Sequence, residues 1–568
     1  MKLLARMMCV VAAGLSLTSC QTVPEEPQSA YGAFLAARYA GANRDAQGAA
    51  DYYAEALQRA PGNAILSDRA FITALLAGEL DAAVGFADAA IAVGDPSRLA
   101  ALYRASDLIA ERRFARARTV LESAPDFGPY NALMADLLVH WALAGEGQID
   151  AARDAARRLA SPGYLDSFIA LHRALLADAA GDRAAAEEAF QAAIYSSPFQ
   201  RMVTALYGGF LERQGDREQA RLLYETYLRN APGDEVITAE LARLSAGGRA
   251  PQQPDIAESA ALVLFGPSAS LAAQADMDMT VLYLRMIQRL YPEYHPNRLL
   301  LGETLQRIRL PEVALEEYAA VPPGPHWMGA QVDLIWLTAR LDRIDDAVAQ
   351  AEALVEATSG DEARLILADL YRVQARCADA IPLYGEVIAN RQAQDALIDW
   401  RYPYFRASCQ FVLGDLPAAE ADYLMALELG PDEPQVLNDL GYLWLEKGVR
   451  LDEAYDMVLR ASQLEPDQGH IIDSLGWAYY TMGDFENAVI QLERAVSLSP
   501  GNATANFHLG DAYWQVGRQL ESRFQWERAL TLEPSESERA ALEDRLANGL
   551  MTEAETEFAE NASGSANP

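Results

Sequence analysis

Lysine is almost missing from this chain: it occurs only at Lys2 and Lys447, and arginine supplies the rest of the positive charge. With 46 basic side chains against 81 acidic ones, the net charge is −35. Nucleic-acid binding needs Lys and Arg to neutralise phosphates, so that class is excluded. The same charge argues against wrapping an anionic membrane surface. One local basic run, Arg112, Arg113, Arg116 and Arg118, reads as a solvated helix face paired to nearby acids. The six histidines, at positions 140, 172, 295, 326, 470 and 508, have no metal-ligand spacing such as HExxH. No serine sits in a GxSxG elbow, and no Walker loop or strand-bound GxGxxG is found. Paired carboxylates are too common in so acidic a chain to mark a site. No metal, cofactor or catalytic constellation is therefore expected, and the chain is read as not an enzyme; a catalytic unit hidden in residues 245–300 is the remote rival. Strand-like alternation is lacking too, so the fold is expected to be all-α. Past the N-terminus, no segment is expected to approach the roughly 18 apolar residues of a membrane span.

The N-terminus is a targeting segment. Lys2 and Arg6 flank a short apolar run from Met7 to Leu17, which ends in Leu17-Thr18-Ser19-Cys20. This resembles a bacterial lipoprotein signal over 1–19, in which Cys20 is lipidated and becomes the mature N-terminus. The rival is an ordinary secretory peptide that happens to hold a cysteine. Several acyl chains would anchor the chain durably, at about 0.8 kcal/mol per buried CH₂. Gln21 follows rather than aspartate, which in many such lipoproteins implies sorting to the outer membrane, facing the periplasm. Residues 20–29, with Pro24, Glu25, Glu26 and Pro27, read as a short tether.

What the chain has in plenty is a repeat. Pro466, Pro500 and Pro534 stand 34 residues apart. Before Pro500 come Ile472, Leu475, Gly476 and Tyr479, then Ala488, Leu492 and Ala495. Before Pro534 the same slots hold Asn506, Leu509, Gly510 and Tyr513, then Ser522, Trp526 and Ala529. Before Pro466 they hold Leu437, Leu440, Gly441 and Trp444, then Ala454, Val458 and Ala461. Period and order are those of the tetratricopeptide repeat, a pair of antiparallel helices. Gly476 and Gly510 fall where the helices cross, Gly483-Asp484 breaks the chain between them, and Pro500 ends the second helix. One unit cannot bury its own apolar stripe, so neighbours must stack.

Weaker copies run upstream, for example Ala186, Phe190, Ala193 and Pro198, or Ala49, Tyr53, Ala56 and Pro61. About fourteen units are expected, as an all-α superhelical solenoid. Ser245 to Pro254 is rich in Gly, Pro and Gln. It reads as a linker over 245–256, between an N-terminal array at 30–244 and a C-terminal array at 257–535; the alternative is a loop within one continuous solenoid. Ala540, Leu542, Leu546 and Leu550 form a helical stripe that suits a capping helix over 536–552. The tail, 553–568, is small, polar and expected to be disordered.

Two cysteines remain after Cys9 and Cys20: Cys377 in a turn and Cys409 on the first helix of the next unit. They are candidates for a disulfide in an oxidising compartment, or else two buried thiols. In such arrays the first helices line the concave face, and slots at i, i+4 and i+7 share one side. Those slots hold Asn438, Tyr442 and Leu445, then Asp473, Trp477 and Tyr480, then Phe507, Asp511 and Trp514. Aromatic rings with acids among them are typical anchors for a protein partner; the alternative is that Trp477 and Trp514 pack between units. A lysine-rich clamp for a C-terminal carboxylate is ruled out, and a basic or apolar partner segment fits better.

The block Asn438-Asp439-Leu440-Gly441-Tyr442 with Leu451-Asp452-Glu453-Ala454 resembles a recurrent block of large proteobacterial tetratricopeptide-repeat lipoproteins. So do Asp473-Ser474-Leu475-Gly476-Trp477, His508-Leu509-Gly510-Asp511 with Tyr513-Trp514, and Tyr283-Leu284-Arg285. That group includes outer-membrane adaptors of periplasmic carboxy-terminal processing proteases, which deliver cell-wall hydrolases to the protease. The resemblance implies a scaffold of that kind; an assembly component of an envelope export or outer-membrane biogenesis machine is the alternative.

Overall fold

The computed structural model describes residues 29–93, 97–124, 127–159, 163, 165–195, 199–273 and 277–550. The signal, Cys20, the tether before Ser29, the last residues of the expected cap and the tail lie outside them. The described residues form thirty α-helices and no strand. Fourteen helix pairs follow one another, with single helices at Glu235–Ser245 and Glu536–Asn548. The fold is an all-α tetratricopeptide-repeat solenoid, as the sequence leads one to expect.

The glycine slots explain why the pairs close so tightly. A Cβ on Gly476 would lie 2.5 Å from Leu492 Cγ, and one on Gly441 would lie 2.8 Å from Val458 Cγ1. Gly302 meets Tyr318 in the same way, Gly208 meets Tyr224 and Gly510 meets Trp526. Each is a first-helix backbone resting on a second-helix side chain. Any larger residue would force the helices apart, at about 1–3 kcal/mol. Ala488 and Ala495 are fully buried on the opposing helix for the same reason.

The turns follow from local chemistry. Gly483 takes a left-handed φ of +82°. Its N–H donates to Tyr480 O, and the N–H of Asp484 donates to Tyr479 O, which closes the first helix. The Asp484 carboxylate then accepts from Asn487 N at 3.2 Å and opens the second helix. The pair beginning at Pro434 carries a longer turn, with Gly448 and Arg450 both at positive φ. The Arg450 guanidinium lies 4.8 Å from the Trp444 ring centroid and holds that turn against its own helix.

The chain divides into two compact units, 1–338 and 339–568. In the first, Ala64–Ala77, Arg98–Ala110, Gly128–Gly145 and Asp166–Ala179 are the first helices of successive pairs. The helices Ile256–Ala273 and Met277–Leu290 pack along that row. Ala100 to Ile109 are buried without a break, and so are Leu262, Val263, Leu264, Tyr283, Leu284 and Ile287. Arg289 reaches Asp107 at 2.6 Å and Asp81 at 2.7 Å, and buried Arg285 pairs with Glu317 at 2.5 Å. The segment 245–256 lies within this unit; Arg213 donates to Pro251 O at 3.1 Å and Arg217 to Gly248 O at 3.2 Å.

One expectation is corrected here. Ile256–Ala273 is long and apolar enough by composition to cross a membrane. In this fold half of it is buried in the protein, where its inward residues fill the row of first helices, and that accounts for its apolar character.

In the second unit, the helix Glu536–Asn548 lies over the last pair. It starts with a capping box between Ser535 and Glu538. Leu542 is fully buried against Trp526 and Ala529, with Leu546 and Leu550 beside it.

Candidate functional site: the inner face of the second unit

Three of the expected groove residues meet in one place. Asn438, Tyr442 and Asp473, from the first helices Pro434–Glu446 and Gly469–Thr481, line a cavity of about 290 Å³. Asp439, His470 and Thr504 join them. The Asn438 amide donates to Asp439 Oδ1 at 3.0 Å, while its own Oδ1 is buried without a donor. Tyr404 donates its hydroxyl to Asp439 Oδ2 at 3.0 Å. Burial pushes the Asp439 carboxyl above its usual range, against the pull of those two hydrogen bonds. The lining residues include no lysine or arginine. A cavity of this make-up presents acceptors and takes hydrogen-bond donors or cations.

Beside it runs an aromatic stack. Trp477 lies between Tyr480, at 4.7 Å, and His508, at 4.0 Å, with the rings nearly parallel. Its indole N–H donates to Glu446 at 2.9 Å. His508 Nδ1 is 3.1 Å from both Asp473 oxygens. Burial opposes a charge on His508, but Asp473, Asp511 and Glu446 outweigh it and raise the imidazole pKa. When protonated, the imidazole ring faces an indole, an arrangement favoured by the ring quadrupole. Trp477 and Tyr480 are half-buried and keep part of their surface exposed.

Phe507, Asp511 and Trp514, also expected in the groove, lie beside the last helix, with Phe507 and Trp514 half-buried. Asp511 is buried and accepts from Trp526 Nε1 at 2.9 Å and Arg545 Nε at 2.8 Å. Trp514 packs on Trp526 with centroids 5.3 Å apart, and Arg545 lies 4.5 Å from the Phe507 ring centroid. The helix Glu536–Asn548 covers the slots that a further repeat would have left open. Cys377 and Cys409 stand as two buried thiols, not a bridge. Burial, with Cys377 as a hydrogen-bond partner, pushes the Cys409 thiol up to about 12, so it stays protonated.

Asp439 and Glu446 were missed as site residues. Asp439 falls one position past the groove slot at Asn438, and a fixed slot pattern skips it. The coupling of His508 to Asp473 could have been found by stepping one repeat length plus one residue from Asp473. Lys447 is paired with Glu420 at 2.8 Å.

Comparison with known proteins agrees with this architecture. A TPR repeat family matches residues 476–517, and a tetratricopeptide repeat family matches 171–235 and 367–434. Those stretches of the chain carry tetratricopeptide repeats. Among curated proteins it is similar to the TPR repeat-containing protein PA4667 of Pseudomonas aeruginosa, with 29% identity over 206 residues. That match covers 34% of this chain and 32% of the relative, so the chain spans about a third of that protein's length. Among solved structures, a chain of the APC/C hetero-tetramer Cut9–Hcn1 is 15% identical over 91% of this chain and 96% of its own, with a TM-score of 0.37. A tetratricopeptide repeat protein from Parabacteroides merdae is 14% identical, over 44% of this chain and 97% of its own, at 0.36. YrrB, described as a TPR protein with an unusual peptide-binding site, is 17% identical, over 31% and 88%, at 0.26.

Proposed function

We propose that this protein is a non-enzymatic, lipid-anchored scaffold that holds a donor-rich or basic segment of another protein on the inner face of its second unit. The observation that carries this reading is the acceptor-lined cavity where Asn438, Asp439, Tyr442 and Asp473 converge without a lysine or arginine. The stacked Trp477 and Tyr480 supply aromatic surface beside it. Cys20 supplies the anchor and Gln21 directs the chain to the outer membrane, on the periplasmic side. The resemblance of the 438–514 block to protease adaptors supports, as partners, a carboxy-terminal processing protease and the cell-wall hydrolases brought to it.

Affinity purification of the full chain from solubilised membranes tests the proposal. A processing protease recovered together with a hydrolase supports it. Asp439→Asn keeps the side-chain shape but removes the charge, and it is expected to lower recovery of both by about ten-fold or more. Recovery of an export or outer-membrane insertion machine instead, with neither enzyme, overturns the adaptor reading.

A further inference from the structure

A second cavity, of about 540 Å³, opens in the first unit between the helices Gln200–Arg213 and Ile256–Ala273. Its walls are largely apolar and aromatic. Phe265 meets Tyr294 edge-on with centroids 5.0 Å apart, and the Tyr294 hydroxyl donates to Met202 Sδ at 3.7 Å. Besides its tyrosines, Gln200 and Asn230, three ionisable side chains enter it: Arg201, His326 and Glu258. Arg201 donates to Asp234 at 2.5 Å, and Asp234 also accepts the Tyr227 hydroxyl at 2.9 Å. Burial, with Arg201 second, lowers the His326 pKa.

No basic side chain among the described residues pairs with the Glu258 carboxylate; burial comes first and neighbouring Asp255 second in holding that carboxyl above its usual range. Asp255 spends its own carboxylate on the Glu258 N–H, at 2.9 Å. The cavity thus carries one carboxyl group without a basic partner, set among ring faces. An anion and aromatic faces around one apolar volume complement a guanidinium or ammonium group on an aliphatic stem. The volume lies in the range of ligand-binding clefts and admits more than one side chain.

We propose that this cavity is a recognition site for a basic side chain, arginine or lysine, carried with an apolar neighbour on an extended segment of a partner protein. Glu258 supplies the counter-charge, Phe265 and Tyr294 the ring faces, and Leu262 the apolar floor. The site is independent of the cavity in the second unit and does not rest on the function proposed above.

Isothermal titration of the purified full chain tests it, using three acetylated and amidated tripeptides. These carry arginine, citrulline or glutamate between two phenylalanines. The arginine peptide is expected to bind at least about ten-fold more tightly than the citrulline peptide, which keeps the shape without the charge, and the glutamate peptide not at all. Glu258→Gln is expected to bring the arginine and citrulline peptides to the same weak affinity without changing the melting temperature. Phe265→Leu is expected to weaken the arginine peptide alone. Equal binding of the arginine and citrulline peptides, no binding of either, or arginine binding that survives Glu258→Gln overturns the proposal. Arginine methyl ester binding as tightly as the arginine tripeptide would assign the cavity to small amines and overturn the peptide assignment.

Discussion

A histidine shut away from water keeps its proton only where carboxylates make up for the lost hydration. His508 meets that condition through Asp473, Asp511 and Glu446. Its folded pKa is raised above the unfolded value, so the native state binds the proton more tightly. The stability this gives is fully present below about pH 6.5 and is lost as pH rises through the raised folded value. Thermal unfolding of the wild type is therefore expected to weaken on going from pH 6 to alkaline pH. His508→Gln is expected to flatten that part of the curve. Asp439 and Asp511, whose carboxyls burial also raises, stay in the variant, so the difference between the two curves isolates the histidine. Parallel curves would mean that His508 is neutral and merely stacked on Trp477. A step of one repeat plus one residue links His508 to Asp473, but its coupling to Asp511 and Glu446 was not legible in the sequence. The glycine and alanine slots were, because Gly476 and Ala488 answer to a local requirement that recurs in every pair. The partner of a charge depends on which neighbour the stacking brings alongside.

At the scale of the element, the helix Glu536–Asn548 decides what the last repeat can do. It was legible from the stripe of Leu542 and Leu546. Its effect on Phe507, Asp511 and Trp514 was not, because slot rules describe a repeat that has a successor. At the end of the array the successor's place is taken by the cap, against which Asp511 is buried and Phe507 and Trp514 lie half-buried. Leu542→Ala opens a cavity beneath the cap and is expected to cost about 2–5 kcal/mol. Hydrogen exchange should show the loss first in 503–548, since each pair is held by its neighbours. Trp514→Ala is expected to loosen the same segment, through the contact with Trp526. Unchanged protection in 503–548 for both variants would show that the cap carries no stability.

At the scale of the whole molecule, the anchor proposal is the simplest to test. Cys20→Ser is expected to release the protein from the membrane fraction, because lipid on that residue is the proposed attachment. Retention after a high-salt wash would point to another attachment, and Ile256–Ala273 would be the first segment to test. The return of 256–290 along the first helices of its own unit was not legible at all. Periodicity reports on neighbours in sequence, and Asp107 and Arg289 are 182 residues apart.

That return also sets an order of events during synthesis. The first six pairs emerge with the row from Ala64 to Ala179 still lacking the helices that will cover it. Not until Leu290 has left the ribosome, and the same length has crossed any membrane, can Arg289 find Asp107 and the row be sealed. Contacts spanning so much chain form slowly. Until then the nascent chain carries an open apolar trough, the kind of surface that holding chaperones bind and that aggregation exploits.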